Sequence, residues 1–280
     1  MGVCATPRLI FLRTSTLDSN TMDLDTSVEN LDSSLARNIP DAEIMIQPVS
    51  SFERHVPGHS LITLYPTIVQ PVSRGRIELA STDPFANPRI FHPMLEDSRD
   101  LVPFRKAIRF TMRLAEEFAE RSGYPYPATL TFAPGVNGHL LDEWEKTAPV
   151  VNPDGTGTTP AAAGYTFASK AGDTRSEVRQ VSGDGDTVVA KTWKTVTDDE
   201  IDDYIRRVGM GSMHVASSCP MSRDGKAGGV VDQKLRVHGI KNLRVADASV
   251  FPMVPSCHTM APTIMVAERC ADFVKGAWGE

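Results

Sequence analysis

The deciding stretch is Met213-His214-Val215-Ala216-Ser217-Ser218-Cys219-Pro220-Met221, with three segments downstream of it. Gly229-Val230-Val231-Asp232 comes first, then Leu235-Arg236-Val237-His238-Gly239-Ile240-Lys241-Asn242-Leu243-Arg244-Val245-Ala246-Asp247-Ala248-Ser249-Val250-Phe251-Pro252. Ser256-Cys257-His258-Thr259-Met260-Ala261-Pro262-Thr263-Ile264-Met265 closes the run. A helix is predicted from about Pro262 to Val274, since proline is well placed in a first helical turn. Its methionines read as core packing. His214 and His258 have no third ligand placed near them, which speaks against a metal site. Cys219 and Cys257 flank the two histidines and read as buried structural thiols rather than nucleophiles.

Upstream, Thr197-Asp198-Asp199-Glu200 carries a capping box and opens a helix through Arg207. Residues 124–196 are irregular, and their centre, Asn152 to Asp186, is dense in Gly, Thr, Ser and Asp. So long an irregular connection reads as a surface insertion or lid. Gly183-Asp184-Gly185-Asp186 lacks the third glycine and the following helix of a phosphate-binding loop. Asp100 to Ser122 is the clearest helix, with Leu101, Phe104, Ile108, Thr111, Ala115 and Phe118 at spacings of three and four. Asp100 is its expected N-cap, and Gly123, Pro125 and Pro127 stop it. Extended structure is expected at 42–49, 61–72, Arg76–Leu79 and Arg89–His92. Ser15 to Asn38 is polar and poor in aromatics, so residues 1–40 read as a mobile leader with order beginning near Asp41.

Of the 280 residues, 41% are hydrophobic and 23% charged, which is ordinary globular composition, and the net charge is -6. No basic face for nucleic acid or an anionic membrane is expected from that balance, and no apolar run approaches a transmembrane span. Cys4, Cys219, Cys257 and Cys270 show no CxxC spacing, and the sequence reads as having no secretory leader. Reduced thiols in a cytoplasmic protein are therefore expected. Met1-Gly2-Val3-Cys4-Ala5-Thr6 matches a loose myristoylation pattern that short sequences often meet by chance. His55, His59, His92, His139 and His238 read as ordinary surface or core residues.

The run from Met213 to Met265, with the upstream Ser73-Arg74-Gly75-Arg76-Ile77-Glu78-Leu79 and Asp83-Pro84, resembles the C-terminal half of the glucose–methanol–choline (GMC) oxidoreductases. The resemblance extends from about Asp41 to the C-terminus, with the insertion as a gap. It implies an α+β fold in which an antiparallel substrate-domain sheet packs on helices beside a remnant of the FAD-binding α/β domain. The implied divisions are a substrate-binding domain over 41–210 and an active-site and FAD-domain remnant over 211–280. By resemblance, His214 is the general base for a substrate hydroxyl and His258 the second active-site position, which together flank the carbinol. Val231, Asp247, Ala248, Thr259 and Met260 are then closest to the FAD. Imidazole suits the first role because it takes a proton near neutral pH. The helix N-terminus near Pro262 would face the negative charge of reduced flavin.

Two departures matter. The family's Gly-Thr after the first histidine is Ser217-Ser218 here, and a glycine often marks close approach of backbone to ligand. The strand, GxGxxG turn and helix that hold the ADP portion of FAD have no counterpart in this sequence. The expectation is thus an alcohol oxidoreductase, acting on a small hydrophobic or alcohol substrate, whose FAD is not held tightly by this chain alone. A homodimer or a separate FAD-binding chain is the expected partner. Two alternatives stand beside it. One is a cofactor-independent cyclase, dehydratase, isomerase or lyase reusing the histidine pair, and the other a non-catalytic remnant or binding protein.

Overall fold

Ala42, Ile44 and Ile46 alternate with Glu43, Met45 and Gln47, so a strand here presents an apolar face and a mixed one. In the computed structural model this is β2 (Ala42–Gln47), the centre of a three-stranded antiparallel sheet between β1 (Arg8–Leu12) and β3 (Thr63–Ile68). The structure describes residues 8–25, 35–48, 62–92, 94–121, 133–135, 150–151, 157–158, 191–225 and 228–279. The apolar face packs against α1 (Leu101–Arg121), and Leu12, Leu17, Ala42, Ile44 and Ala107 form one core cluster. On its other side α1 meets α2 (Asp198–Val208), where Ile108, Met112, Val196, Ile201 and Ile205 are buried together. Arg105 of α1 donates two hydrogen bonds to the buried carboxylate of Asp202 at 2.7 and 2.6 Å, which fixes the helix crossing. The capping box at Thr197 and Glu200 is present as expected. Two short antiparallel pairs, β4 (Arg76–Glu78) with β5 (Arg89–Phe91) and β6 (Val150–Val151) with β7 (Gly157–Thr158), complete the strands among the described residues.

The reading of residues 1–40 as a mobile leader is corrected for the described part. Residues 8–12 form the outer strand, and Leu17 and Met22 are buried. The polar residues between them are used in turns. Asp18 accepts from the Asn20 and Thr21 N–H groups, and Asp41 accepts from both the N–H and the hydroxyl of Thr14. Asp100 is not the helix cap either. Asp97 caps a 3-10 turn at Ser98–Asp100, while the buried Asp100 carboxylate accepts from the Val72 and Ser73 N–H groups at 2.7 and 2.9 Å. It ties the end of the sheet to the start of α1. The Asn152–Asp186 insertion, apart from Gly157–Thr158, and the Met1–Thr6 pattern lie outside the described residues.

Beyond α2 the chain builds a second, smaller core from Val231, Leu235, Val250 and Phe251. The last helix, α3 (Met260–Trp278), is longer at both ends than the pattern predicts. It leans on this core through Val266, Cys270 and Phe273, yet none of its residues is fully buried. Gly279, in the left-handed conformation at φ 80°, closes it.

Candidate active site

His214 sits on a segment turned sharply at both sides, since Met213 and Ser217 have φ of 59° and 66°. That segment is held by the 3-10 turn at Ala248–Val250. The N–H groups of Ser217, Cys219 and Met221 donate to the carbonyls of Ala248, Ser249 and Val250 at 3.2, 2.9 and 2.9 Å. Asp247 caps the turn by accepting from the Ser249 N–H. His258 is placed by different anchors. Ser256 donates to the Pro40 carbonyl, and Gln70 donates to the Val254 carbonyl, which docks this loop on the end of the sheet.

These two segments bring the histidines together. His214 Nε2 and His258 Nδ1 are 2.7 Å apart, with the rings edge to face. His214 Nδ1 lies 3.1 Å from Thr259 Oγ1, and His258 Nε2 lies 2.9 Å from Glu43 Oε1. Glu43 is 4% exposed, and a buried carboxylate requires a hydrogen-bonding or charged partner. As a carboxylate it only accepts, so His258 Nε2 carries a proton. With both rings neutral, His258 Nδ1 accepts from His214 Nε2–H, and His214 Nδ1 accepts from Thr259. A proton on His258 reverses the middle bond, so that His258 Nδ1–H donates to the His214 Nε2 lone pair, the His214 proton moves to Nδ1 and faces Thr259 Oγ1, and the imidazolium pairs with Glu43. The geometry of the chain Thr259–His214–His258–Glu43 accommodates two hydrogen-bond arrangements that differ by one proton.

Of the residues expected at the site, His214, His258 and Thr259 meet directly. Val231 is fully buried in the small core, and its carbonyl accepts from the Ser222 N–H. Asp247 and Ala248 buttress the His214 segment. Met260 opens α3 and is 73% exposed. Glu43 is a site residue that sequence reading missed. Its one signal is an acidic side chain between Ala42 and Ile44 in an otherwise core strand. Among the described residues, no group of three His, Cys, Asp or Glu forms a metal site, and no helix is long and apolar enough to cross a membrane.

Comparison with known proteins gives a consistent answer. A family profile described as GMC oxidoreductase matches residues 71–267. The chain is 30% identical over 218 residues to glucose dehydrogenase [FAD, quinone] of Drosophila pseudoobscura pseudoobscura, covering 78% of this chain and 26% of that protein. It is 30% identical over 207 residues to oxygen-dependent choline dehydrogenase of Vibrio vulnificus, covering 73% and 26%. The chain thus spans about a quarter of the length of these relatives. In fold it resembles formate oxidase, with a TM-score of 0.58 at 21% identity, over 96% of this chain and 38% of the other. A fungal aryl-alcohol oxidase gives 0.53 at 20%, over 88% and 29%.

The glucose dehydrogenase relative uses FAD, and two features here fit such a group. The N-cap Thr259 makes no side-chain cap bond, so the first N–H groups of α3, at Met260 and Ala261, gain no cap from it beside His214. Ser217 Oγ is buried without a hydrogen-bond partner. An electron-rich ring edge is a suitable acceptor for the uncapped amides.

Proposed function

Because the chain belongs to the GMC oxidoreductase family, we propose that it carries the histidine-pair portion of an alcohol-oxidising centre that works with FAD. The observation that supports this most is the hydrogen-bonded chain Thr259–His214–His258–Glu43. The bond between the histidines occupies the atoms a substrate hydroxyl needs, so an alcohol binds by taking its place. The alcohol oxygen accepts from His258 Nδ1–H and its proton faces His214 Nε2. His214 Nδ1–H then donates to Thr259 Oγ1, which leaves the Nε2 lone pair toward the substrate. Glu43 balances the charge of the doubly protonated His258. His214 is the base, and His258 holds the oxygen as negative charge develops on it. FAD, when bound, supplies the hydride acceptor.

Thr259 and Met260 would face that cofactor through the start of α3. Asp247, Ala248 and Val231 would line or support the same wall through the backbone. Exposed Met260, Ile264 and Met265 leave the α3 side open and apolar rather than filled, which favours this reading over a cofactor-free enzyme. The apolar face starts at the histidine pair, so it fits a flavin-side contact better than a homodimer seam. The test is dye reduction by the full chain supplied with FAD and a primary alcohol. Turnover is expected for the native sequence and is lost in His214→Ala, whereas equal rates for the two would refute the assignment.

A further inference from the structure

Metal-bound histidines aim one ring nitrogen at the ion and hold the other on an oxygen, commonly of a carboxylate, a carbonyl or a water. The histidine pair has that layout on both rings. His214 Nε2 and His258 Nδ1 converge at 2.7 Å. Each outer nitrogen is engaged by an oxygen, His258 Nε2 by Glu43 Oε1 at 2.9 Å and His214 Nδ1 by Thr259 Oγ1 at 3.1 Å. Glu43 thus sets its buried negative charge behind the ring whose inner nitrogen points at His214.

We propose that the pair is a reversible, carboxylate-backed site for a late divalent transition-metal ion such as Zn²⁺, which bridges the two inner nitrogens in place of the proton they share. Imidazole suits such ions, whereas Mg²⁺ and Ca²⁺ take oxygen ligands. Zn–N bonds of about 2.0–2.1 Å at a tetrahedral angle set two ligand nitrogens about 3.3–3.4 Å apart, so the rings part by about 0.6–0.7 Å from their 2.7 Å approach. Their segments have separate anchors, the Ala248–Val250 turn for His214 and the Pro40 and Gln70 contacts for His258. The His258 side chain is 38% exposed, which leaves room for water on the ion. Protons balance without loss. With both rings neutral, the His214 proton passes from Nε2 to Nδ1, where Thr259 Oγ1 accepts it, and His258 keeps its Nε2 proton on Glu43. Two inner lone pairs then face the ion. Two imidazoles are too few for a structural zinc, which takes four protein ligands, so the ion exchanges and water fills its other positions. Binding of the ion follows from this geometry alone. That it also blocks turnover rests on the alcohol-oxidation reading, because the ion takes the atoms assigned there to the hydroxyl.

The test is a Zn²⁺ titration of the full chain labelled with nitrogen-15 at histidine, with Mg²⁺ as the contrast. His214→Ala and His258→Ala identify the two rings among the seven histidines. Zn²⁺ is expected to move the His214 Nε2 and His258 Nδ1 signals together, to place the His214 proton on Nδ1 and to saturate at one ion per chain, while Mg²⁺ moves neither. Glu43→Gln keeps an acceptor for His258 and removes the charge, and calorimetry is expected to show its Zn²⁺ affinity lowered about 10–100-fold, the usual scale for an outer carboxylate. Zn²⁺ shifts confined to other histidines, or to one ring of the pair, overturn the proposal, as does native affinity in Glu43→Gln. The dye assay with FAD and a primary alcohol separates the proposal from the alcohol-oxidation reading. Turnover that falls in step with the imidazole shifts supports both. Turnover that persists while those signals are saturated leaves the metal site standing and overturns the alcohol-oxidation reading.

Discussion

Ser217 is a non-glycine residue held at φ 66° with a buried hydroxyl that has no partner, so its replacement should stabilise the protein. Its backbone is fixed by the hydrogen bond to the Ala248 carbonyl, so it cannot relax without releasing the His214 segment. The left-handed conformation costs an L-residue about 1–2 kcal/mol relative to glycine. The unpaired hydroxyl costs about 1–3 kcal/mol. Against these, glycine loses about 0.5–1 kcal/mol more conformational freedom on folding. Ser217→Gly is therefore expected to gain about 2–3 kcal/mol. Ser217→Ala, which removes the hydroxyl but keeps the Cβ, should gain about 1–2 kcal/mol. At about 2–4 °C per kcal/mol, the glycine variant should melt about 5–10 °C higher. Urea unfolding of the two variants and the native sequence measures both contributions. An unchanged or lower midpoint for Ser217→Gly would refute the strain argument. Equal gains for the two variants would assign the whole effect to the hydroxyl.

Other consequences are as direct. Glu43→Ala leaves the His258 Nε2–H without its acceptor and should lower stability by about 2–3 kcal/mol, and Glu43→Gln by about 1 kcal/mol, read as urea midpoints. The Arg105 hydrogen bonds hold the Asp202 carboxyl below its usual pKa of 3.8. A carboxyl depressed in the folded state stabilises fully above its unfolded pKa, and that contribution is lost as pH falls through the lower folded value. Asp202→Asn should thus cost about 1–3 kcal/mol at pH 7, and the gap should close on acidification below about pH 4, measured by unfolding at each pH. Thr197→Ala removes a capping box and should cost about 1 kcal/mol, seen as a lower thermal midpoint.

The parts legible in the sequence were those set by nearby residues. Thr197 and Glu200 lie three apart and form their cap without help from the rest of the chain. The period of α1 likewise needs only its own residues. Misreadings came where a distant partner decides. Asp100 looks like a cap because it precedes the helix, yet its acceptors serve Val72 and Ser73, about one strand and loop away. Arg8–Leu12 is too short to announce itself ahead of a polar stretch, and becomes a strand because β2 offers an edge in register. The histidine pair was readable through family resemblance. Its acidic end was not, because Glu43 and His258 are 215 residues apart and only the fold brings them together.

The central claim is that His214 takes the substrate proton while His258, backed by Glu43, holds the oxygen. Anaerobic single-turnover bleaching of flavin absorbance by a primary alcohol tests it most directly, using the full chain at saturating FAD and its His214→Ala variant. The account predicts bleaching by the native chain and a loss of about 10²–10⁴-fold in its rate for the variant, the usual scale of a general base. Bleaching at the native rate in His214→Ala would contradict it.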